Sequence, residues 1–248
     1  MMKRRTPEEI ELMRESGRLV AGSLELGRTL IAPGTTTAEI DREIEAFIRD
    51  NDGVPVFKGF MGYPAATCVS VNEEVVHGIP GDKALRDGDI VGIDVGVRKE
   101  GYVGDGARTF AVGNVSDEAD RLLKTTSRAL QEGLAALSAG VHLSDISHAI
   151  QTVAEGAGYS VVRELAGHGV GAELHEPPEV PNYGPPGRGP ILAEGMTLAI
   201  EPMVNAGKPD IRMLSDGWTV VTADGRLSAH FEHTVAVTGN GVDVLTVA

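Results

Sequence analysis

Two aspartates stand where carboxylates are costly. In Asp89-Ile-Val-Gly-Ile-Asp94-Val-Gly-Val97 the residues alternate. Val91, Ile93, Val95 and Val97 make one apolar face, and Gly92, Asp94 and Gly96 make the other. The chain returns as Tyr102-Val-Gly-Asp105-Gly-Ala-Arg-Thr-Phe110, a hairpin partner. An even-length loop centred on Lys99-Glu100 sets Asp94 directly opposite Asp105, with Cβ atoms roughly 4.5–5.5 Å apart. Facing carboxylates repel unless they share a proton or a cation lies between them. Both readings fit, as does a third in which an irregular loop turns the aspartates apart.

Glutamates add to the pattern. Glu201 ends the apolar run Leu198-Ala-Ile-Glu201 before Pro202, and Glu232 sits inside the apolar strand Ala229-His-Phe-Glu232-His-Thr-Val235. A carboxylate within a buried strand needs a partner or a metal. One could face solvent at an edge, but two beside Asp94 and Asp105 make a set. Three of the seven histidines lie in glycine-rich, non-helical settings: His77 in Val75-Val-His-Gly-Ile-Pro80, and His168 and His175 in Gly167-His-Gly-Val-Gly-Ala-Glu-Leu-His-Glu-Pro177. A single histidine in a loop is ordinarily structural. His142 and His148 fall on helical stretches, and His230 and His233, flanking Glu232, are left undecided. Two Asp, two Glu and one His form a donor set for hard or borderline divalent ions. Shared carboxylates hold two such ions about 3.5–4 Å apart and lower the pKa of a bridging water. The sequence has no zinc-finger spacing, His-Glu-x-x-His helix, Gly-x-Ser-x-Gly elbow or phosphate-binding Gly-x-x-x-x-Gly-Lys-Ser/Thr loop.

These residues must be positioned by surrounding elements. Thr6-Pro7-Glu8-Glu9 opens a helix with a capping box and Pro at its first position. Ile10, Met13, Gly17, Val20, Ala21 and Leu24 then recur at helical spacing to about Leu30. Pro33-Gly34 breaks the chain, and a second helix runs from about Thr37 to Asp50, with Ile40, Ile44, Phe47 and Ile48 on one side. Short β-rich runs fill Val54 to about Val112. Helices return from Asp117 to about Ser138, and from a Ser144 cap to near Gly158. Strand-like runs follow at Ser160–Leu165, Thr197–Val204, Trp218–Thr222 and His230–Val237. Gly34-Thr-Thr-Thr-Ala-Glu39-Ile40 matches Gly140-Val-His-Leu-Ser-Asp145-Ile146. Together with the repeated element order, this suggests a duplicated α+β lobe with a ligand site at the seam.

Composition narrows the class. The 248 residues are 42% hydrophobic but 4% aromatic, so an aliphatic core is available and base-stacking surfaces are scarce. Asp+Glu number 36 against 22 Lys+Arg, a net charge of −14 that repels phosphate backbones and accommodates cations. Direct nucleic-acid binding is therefore not expected. A single cysteine, Cys68, forms no intrachain disulfide. The N-terminal segment lacks the apolar core of a signal peptide, and no run is long and apolar enough to span a membrane. A soluble cytoplasmic protein is expected, with a monomer as the default.

Over almost its whole length the chain resembles a type I methionine aminopeptidase of the short bacterial form. The motifs are Val71-Asn-Glu-Glu-Val-Val-His77-Gly-Ile-Pro80, Asp94 with Gly101-Tyr-Val-Gly-Asp105, Gly167-His168-Gly-Val-Gly, His175-Glu-Pro-Pro, Glu201-Pro-Met-Val-Asn205 and Asp216-Gly-Trp218-Thr-Val. The resemblance implies a pseudo-two-fold α+β "pita-bread" fold: one catalytic domain over 1–248, made of two lobes of about 1–113 and 114–248, with an antiparallel curved sheet covered by helices. It implies removal of N-terminal methionine from nascent chains and peptides, with a small second residue preferred. Asp94, Asp105, His168, Glu201 and Glu232 would hold two divalent ions (Co, Mn, Fe or Zn), with Asp105 and Glu232 shared. A metal-bridging hydroxide would attack the first peptide carbonyl, Glu201 would move its proton, His175 would stabilise the oxyanion, and His77 would bond the leaving nitrogen. The substrate α-amine would bind near the metal held by the two aspartates. Tyr63, Cys68, Leu174 and Trp218 would line the methionine pocket, although Cys68 and Trp218 are equally explicable as core.

The chain departs from the family pattern in three places. Met61 stands where members often carry His, Gly96 where many carry Thr, and Leu174 where many carry Phe. The second removes a hydroxyl beside the metal site and the third enlarges the pocket. X-Pro aminopeptidases or dipeptidases of the same fold are the nearest alternative, but they usually carry a separate N-terminal domain. A non-catalytic pita-bread binding module is the other, and such proteins lose ligands that are all present here. Nascent chains as substrate suggest transient ribosome association. Lys3-Arg4-Arg5 is the candidate contact, with a solvated terminus the plainer expectation.

Overall fold

The threonine at position 6 starts the first helix as the sequence requires. In the computed structural model, which describes residues 2–247, its hydroxyl accepts the Glu9 N–H at 3.3 Å and the Glu9 carboxylate accepts the Thr6 N–H at 2.8 Å. The first half of the chain comprises α1 (Pro7–Leu30), α2 (Thr37–Asp50), β1 (Val54–Pro55), β2 (Cys68–Val71), β3 (Glu74–Val76), β4 (Ile90–Lys99) and β5 (Tyr102–Ala111). The second half comprises α3 (Asp117–Ala135), α4 (Leu143–Gly156), β6 (Ser160–Val161), β7 (Ala166–Gly169), β8 (Glu176–Pro181), β9 (Thr197–Ile200), β10 (Met203–Asn205), β11 (Ile211–Met213), β12 (Val220–Thr222), β13 (Ser228–His230), β14 (His233–Thr238) and β15 (Gly241–Val244).

Every strand pairing is antiparallel, as the α+β expectation requires. β5 lines one edge of β4, with β1 and β2 on the other. A five-stranded sheet runs in the order β15-β14-β9-β7-β8. Ile40, Ile44 and Ile48 on α2 are fully buried together with Val91, Ile93 and Val95 of β4. Leu122, Ala129, Ile146 and Ile150 of α3 and α4 do the same beneath Leu198, Ile200 and Val235. Spacing of three or four residues thus gives each helix one apolar face, and each face covers one sheet.

The internal match has a structural counterpart. The Gly34 N–H donates to the Leu85 carbonyl at 2.8 Å, and the Gly140 N–H to the Leu192 carbonyl at 2.9 Å. Thr36 bridges Ala84 as His142 bridges Ile191. Glu39 accepts from the Thr36 N–H as Asp145 accepts from the His142 N–H. Along the seam, the Asp105 N–H donates to Thr234 Oγ1 at 2.8 Å, and that hydroxyl donates back to the Asp105 carbonyl at 2.8 Å. Thr109 makes the same double link to His230. Between them the Glu232 N–H donates to the Ala107 carbonyl at 2.8 Å.

Four expectations are corrected. The β4–β5 turn centres on Glu100-Gly101, both with positive φ, so Asp94 pairs with Ala107 and Gly96 with Asp105. The aspartates are diagonal neighbours on one face rather than directly opposed. α4 is capped by His142, not Ser144. The Gly167-His168-Gly169 segment is a strand. Glycine there reflects close backbone approach, since a Cβ at Gly167 would overlap the Ala199 carbonyl. Glu232 lies in the break between β13 and β14, not within a strand.

Gly17 is where α1 closes on the seam. A Cβ added there would overlap the backbone of Leu245, and one on Gly104 would meet the Gly17 nitrogen at 2.9 Å. Gly17→Ala gains about 1 kcal/mol of helix propensity, yet the backbone overlap costs about 1–3 kcal/mol or more. The variant should melt at least a few degrees lower in a thermal scan. An unchanged melting temperature would show that α1 and the Leu245 segment can move apart at no cost.

Candidate metal centre and its cavity

Alternation along β4 and β5 sends Asp94 and Asp105 to one side, and the Thr234 clip brings Glu232 over them. β9 ends at Ile200 and delivers Glu201, whose carbonyl accepts from Asn182 Nδ2 at 3.0 Å. β7 lies against β9, with His168 paired to Ala199. His168 Nε2 is 3.7 Å from Asp105 Oδ2 and 3.5 Å from Glu201 Oε1. Its Nδ1 lies 3.0 Å from the Gly169 carbonyl, which only accepts. Nδ1 therefore carries the proton and Nε2 presents its lone pair to the carboxylates.

Burial dominates the electrostatics. It raises the Asp94 carboxyl, with Asp105 adding repulsion, and raises Asp105 to about 7. Burial, then Asp105 and other carboxylates, raises Glu201 and Glu232. The same desolvation, with His175 nearby, pushes His168 down to about 4. Burial and then His77 push His230 to about 3.

A divalent cation fits these residues. Asp94 Oδ1, Asp105 Oδ1, Glu232 Oε1 and His230 Nε2 are buried without a hydrogen-bond partner, a state that ordinarily costs about 1–3 kcal/mol per group. Donor atoms of Asp105, His168 and Glu232 all lie within 4.8 Å of one another. Asp94 and Glu201 line the same cavity. The five sequence-designated ligands are therefore gathered in one place.

The cavity beyond them measures about 280 Å³ and is lined by Phe57, Tyr63, Cys68, Leu174 and Trp218, with His77 and His175 at its sides. Tyr63 meets Trp218 edge to face at 5.1 Å. The Tyr63 hydroxyl donates towards the Thr67 and Gly78 carbonyls, each at 3.0 Å, so the cavity sees the ring. Burial holds the Cys68 thiol protonated. One wall of the cavity is thus apolar, while the donor atoms of Asp105, His168 and Glu232 converge beside it.

Phe57, Phe60 and His230 were not singled out as site residues. His230 could have been found, since it sits two residues from Glu232 in an alternating segment. Phe57 had no local signal: its ring occupies the space that a Cβ on Gly96 would enter, with Cε1 at 2.7 Å. The side chains of Val56 and Phe57 thus fill the space beside Gly96. Met61, 83% exposed, lies on the rim rather than in the chemistry. A second groove of about 650 Å³ leads from His77 and His175 past Glu179 and Met203 to the surface. Among the described residues no helix is long and apolar enough to cross a membrane.

Residues 11–239 match the model of metallopeptidase family M24. The chain is 53% identical to methionine aminopeptidase 1 of Bacillus subtilis, covering 98% of each. It is 47% identical to methionine aminopeptidase of Escherichia coli K12, covering 98% of this chain and 92% of that one. The crystal structure of methionine aminopeptidase from Thermotoga maritima superposes with a TM-score of 0.99 at 45% identity over the whole of both chains. Prolidase from Pyrococcus furiosus shares the fold alone, with a TM-score of 0.80 at 23% identity over 65% of its length.

Carboxyls raised by burial and mutual repulsion retain protons near neutrality, and a cation must displace them. Titrating metal-free protein with Mn at pH 7 in buffers of different ionisation enthalpy should reveal release of about one proton or more. The apparent affinity should rise with pH. Heat independent of the buffer would mean that the carboxylates are already ionised.

Proposed function

The chain belongs to metallopeptidase family M24, and from that premise we propose how it removes N-terminal methionine. The observation that carries the reading is the meeting of four carboxylates and His168 with an aromatic and aliphatic wall in one cavity. Asp94, Asp105, His168, Glu201 and Glu232 would hold two divalent ions, of Co, Mn, Fe or Zn. When bound, such ions supply Lewis acidity that polarises a carbonyl and lowers the pKa of water.

The protein's own groups do the rest. Tyr63, Cys68, Leu174 and Trp218, with Phe57, enclose an unbranched thioether and offer no charged partner. With the side chain against this apolar wall, the peptide amine would sit near Asp94 and the chain would leave through the groove past Glu179 and Met203. Glu201, ionised once a cation has displaced its proton, takes a proton from the attacking water and returns it to the leaving nitrogen. Burial keeps His175 and His77 neutral, with His175 also lowering His77. His175 then donates an N–H to the developing oxyanion, and His77 bonds the departing amide nitrogen. Phe60 packs on His175 at 5.3 Å, and this crowding beside the scissile bond favours a small second residue.

We read the chain as one catalytic domain of two lobes, about 1–113 and 114–248, on the strength of the repeated turn contacts. Nascent chains are the natural substrate, which places the work in the cytoplasm. A transient ribosome encounter fits that substrate, and a monomer suffices for the site. The X-Pro reading is not favoured, since the prolidase likeness extends to the fold alone. A binding module would not keep the full ligand set beside His77 and His175.

The test is a peptide panel on metal-stripped protein with Mn or Co restored. Met-Gly and Met-Ala peptides should release methionine only with metal, while Met-Leu, Leu-Gly and Ala-Pro peptides should be poor substrates. Cleavage of Ala-Pro in preference would move the chain to proline specificity. No cleavage with any metal would leave a binding module.

A further inference from the structure

The His175 ring has no hydrogen bond among the described residues; it packs against two rings, Phe60 at 5.3 Å and His168 at 4.4 Å. It ends the bend segment 171–175, which has little regular structure to hold it. The next residue, Glu176, is anchored from a distant part of the chain. Arg5 Nη2 donates to both Glu176 oxygens at 2.6 Å, and the two side chains are 6% and 7% exposed. The Glu173 N–H donates to the same carboxylate at 3.3 Å, and Lys3 Nζ lies 3.4 Å away.

Arg5 is itself built in. Its N–H donates to the Gly195 carbonyl at 2.6 Å, and its guanidinium lies over the Tyr102 ring at 5.8 Å. A Cβ on Gly171 would overlap the guanidinium. The basic run is therefore not an open patch: Arg5 turns inward, and the Arg4 Nε donates to the Glu194 carbonyl at 2.7 Å. Burial raises the Glu176 carboxyl, but the Glu173 N–H and the Arg5 charge outweigh it and hold the group below its ordinary range. A buried ion pair adds little stability over an apolar pair of similar volume, whereas its directed bonds fix geometry.

We propose that Arg5 is a positioning residue for His175, its guanidinium holding Glu176 and thereby fixing the end of the loop from which the His175 ring enters the cavity. The proposal rests on His175 acting as the oxyanion donor. A small displacement of a catalytic group is enough to slow the chemical step strongly.

The test compares Arg5→Ala, Arg5→Lys, Glu176→Gln, His175→Ala and the Arg5→Ala/His175→Ala double variant, with Arg4→Ala as control. On a Met-Gly peptide, Arg5→Ala should lower kcat about 10- to 100-fold with KM little changed. Glu176→Gln should act in the same direction, Arg5→Lys should restore most of the rate, and Arg4→Ala should match the parent. In the His175→Ala background, removing Arg5 should cost nothing further. In metal-free protein with 13C-labelled histidine, the His175 ring resonance should shift or broaden in Arg5→Ala while that of His148 on α4 stays in place. Equal slowing with and without His175, or an unmoved His175 resonance, would overturn the proposal. Because the resonance is read without metal or substrate, it decides the matter even if the peptidase reading fails.

Discussion

Four carboxylates line one cavity, and their mutual repulsion is the constraint on which the rest of the structure depends. Left to local forces, each would turn to solvent. The seam prevents this with backbone bonds: the Thr109 and Thr234 hydroxyls each clip β5 to the β13–β14 segment, and the Glu232 N–H is tied to Ala107 between them. A chain held at three successive points keeps the backbones of Asp105 and Glu232 side by side. A divalent cation then converts the repulsion into attraction, which is why a stable fold tolerates the cluster.

Everything beside the cluster serves orientation. The Gly169 carbonyl selects the His168 tautomer that faces the carboxylates. The Tyr63 hydroxyl is engaged by two carbonyls, so this wall of the cavity is aromatic and aliphatic rather than polar. Neutral His77 and His175 stand between this apolar wall and the groove, where a peptide carbonyl would cross. In the proposed reading, selectivity for methionine and the chemistry of bond cleavage would arise from adjacent walls of one cavity. The strap ahead of α1 reaches the same loop from the opposite side of the molecule through Arg5 and Glu176.

Elements dictated by nearby residues were legible in the sequence. Thr6-Pro-Glu-Glu9 predicts the start of α1, and spacing predicts α2 over Thr37–Asp50, because caps and amphipathic faces are local. The carboxylate cluster was also legible, since a carboxylate in an apolar run has few explanations, and Asp94, Asp105, Glu201 and Glu232 do line one cavity. Register was not. The turn at Glu100-Gly101 shifts the pairing of Asp94 from Asp105 to Ala107, yet the shift is by two residues and preserves the face, so the grouping held for a different reason than expected. Strand β7 was hidden because two glycines look like a loop until the neighbouring backbone is known. Phe57 and Arg5 meet the site across long sequence separations, where no local pattern reports them.

The central claim is that the cluster is costly without a cation and stabilising with one. It is tested most directly by thermal unfolding of the parent and Asp105→Asn, each metal-free and with saturating Mn. Binding at about 100 times Kd contributes about 2.7 kcal/mol, or roughly 5–10 °C for a chain of this size. The account predicts that rise for the parent. Metal-free Asp105→Asn should melt at or above the metal-free parent and respond little to Mn. A lower melting temperature for metal-free Asp105→Asn, together with an undiminished response to Mn, would contradict it.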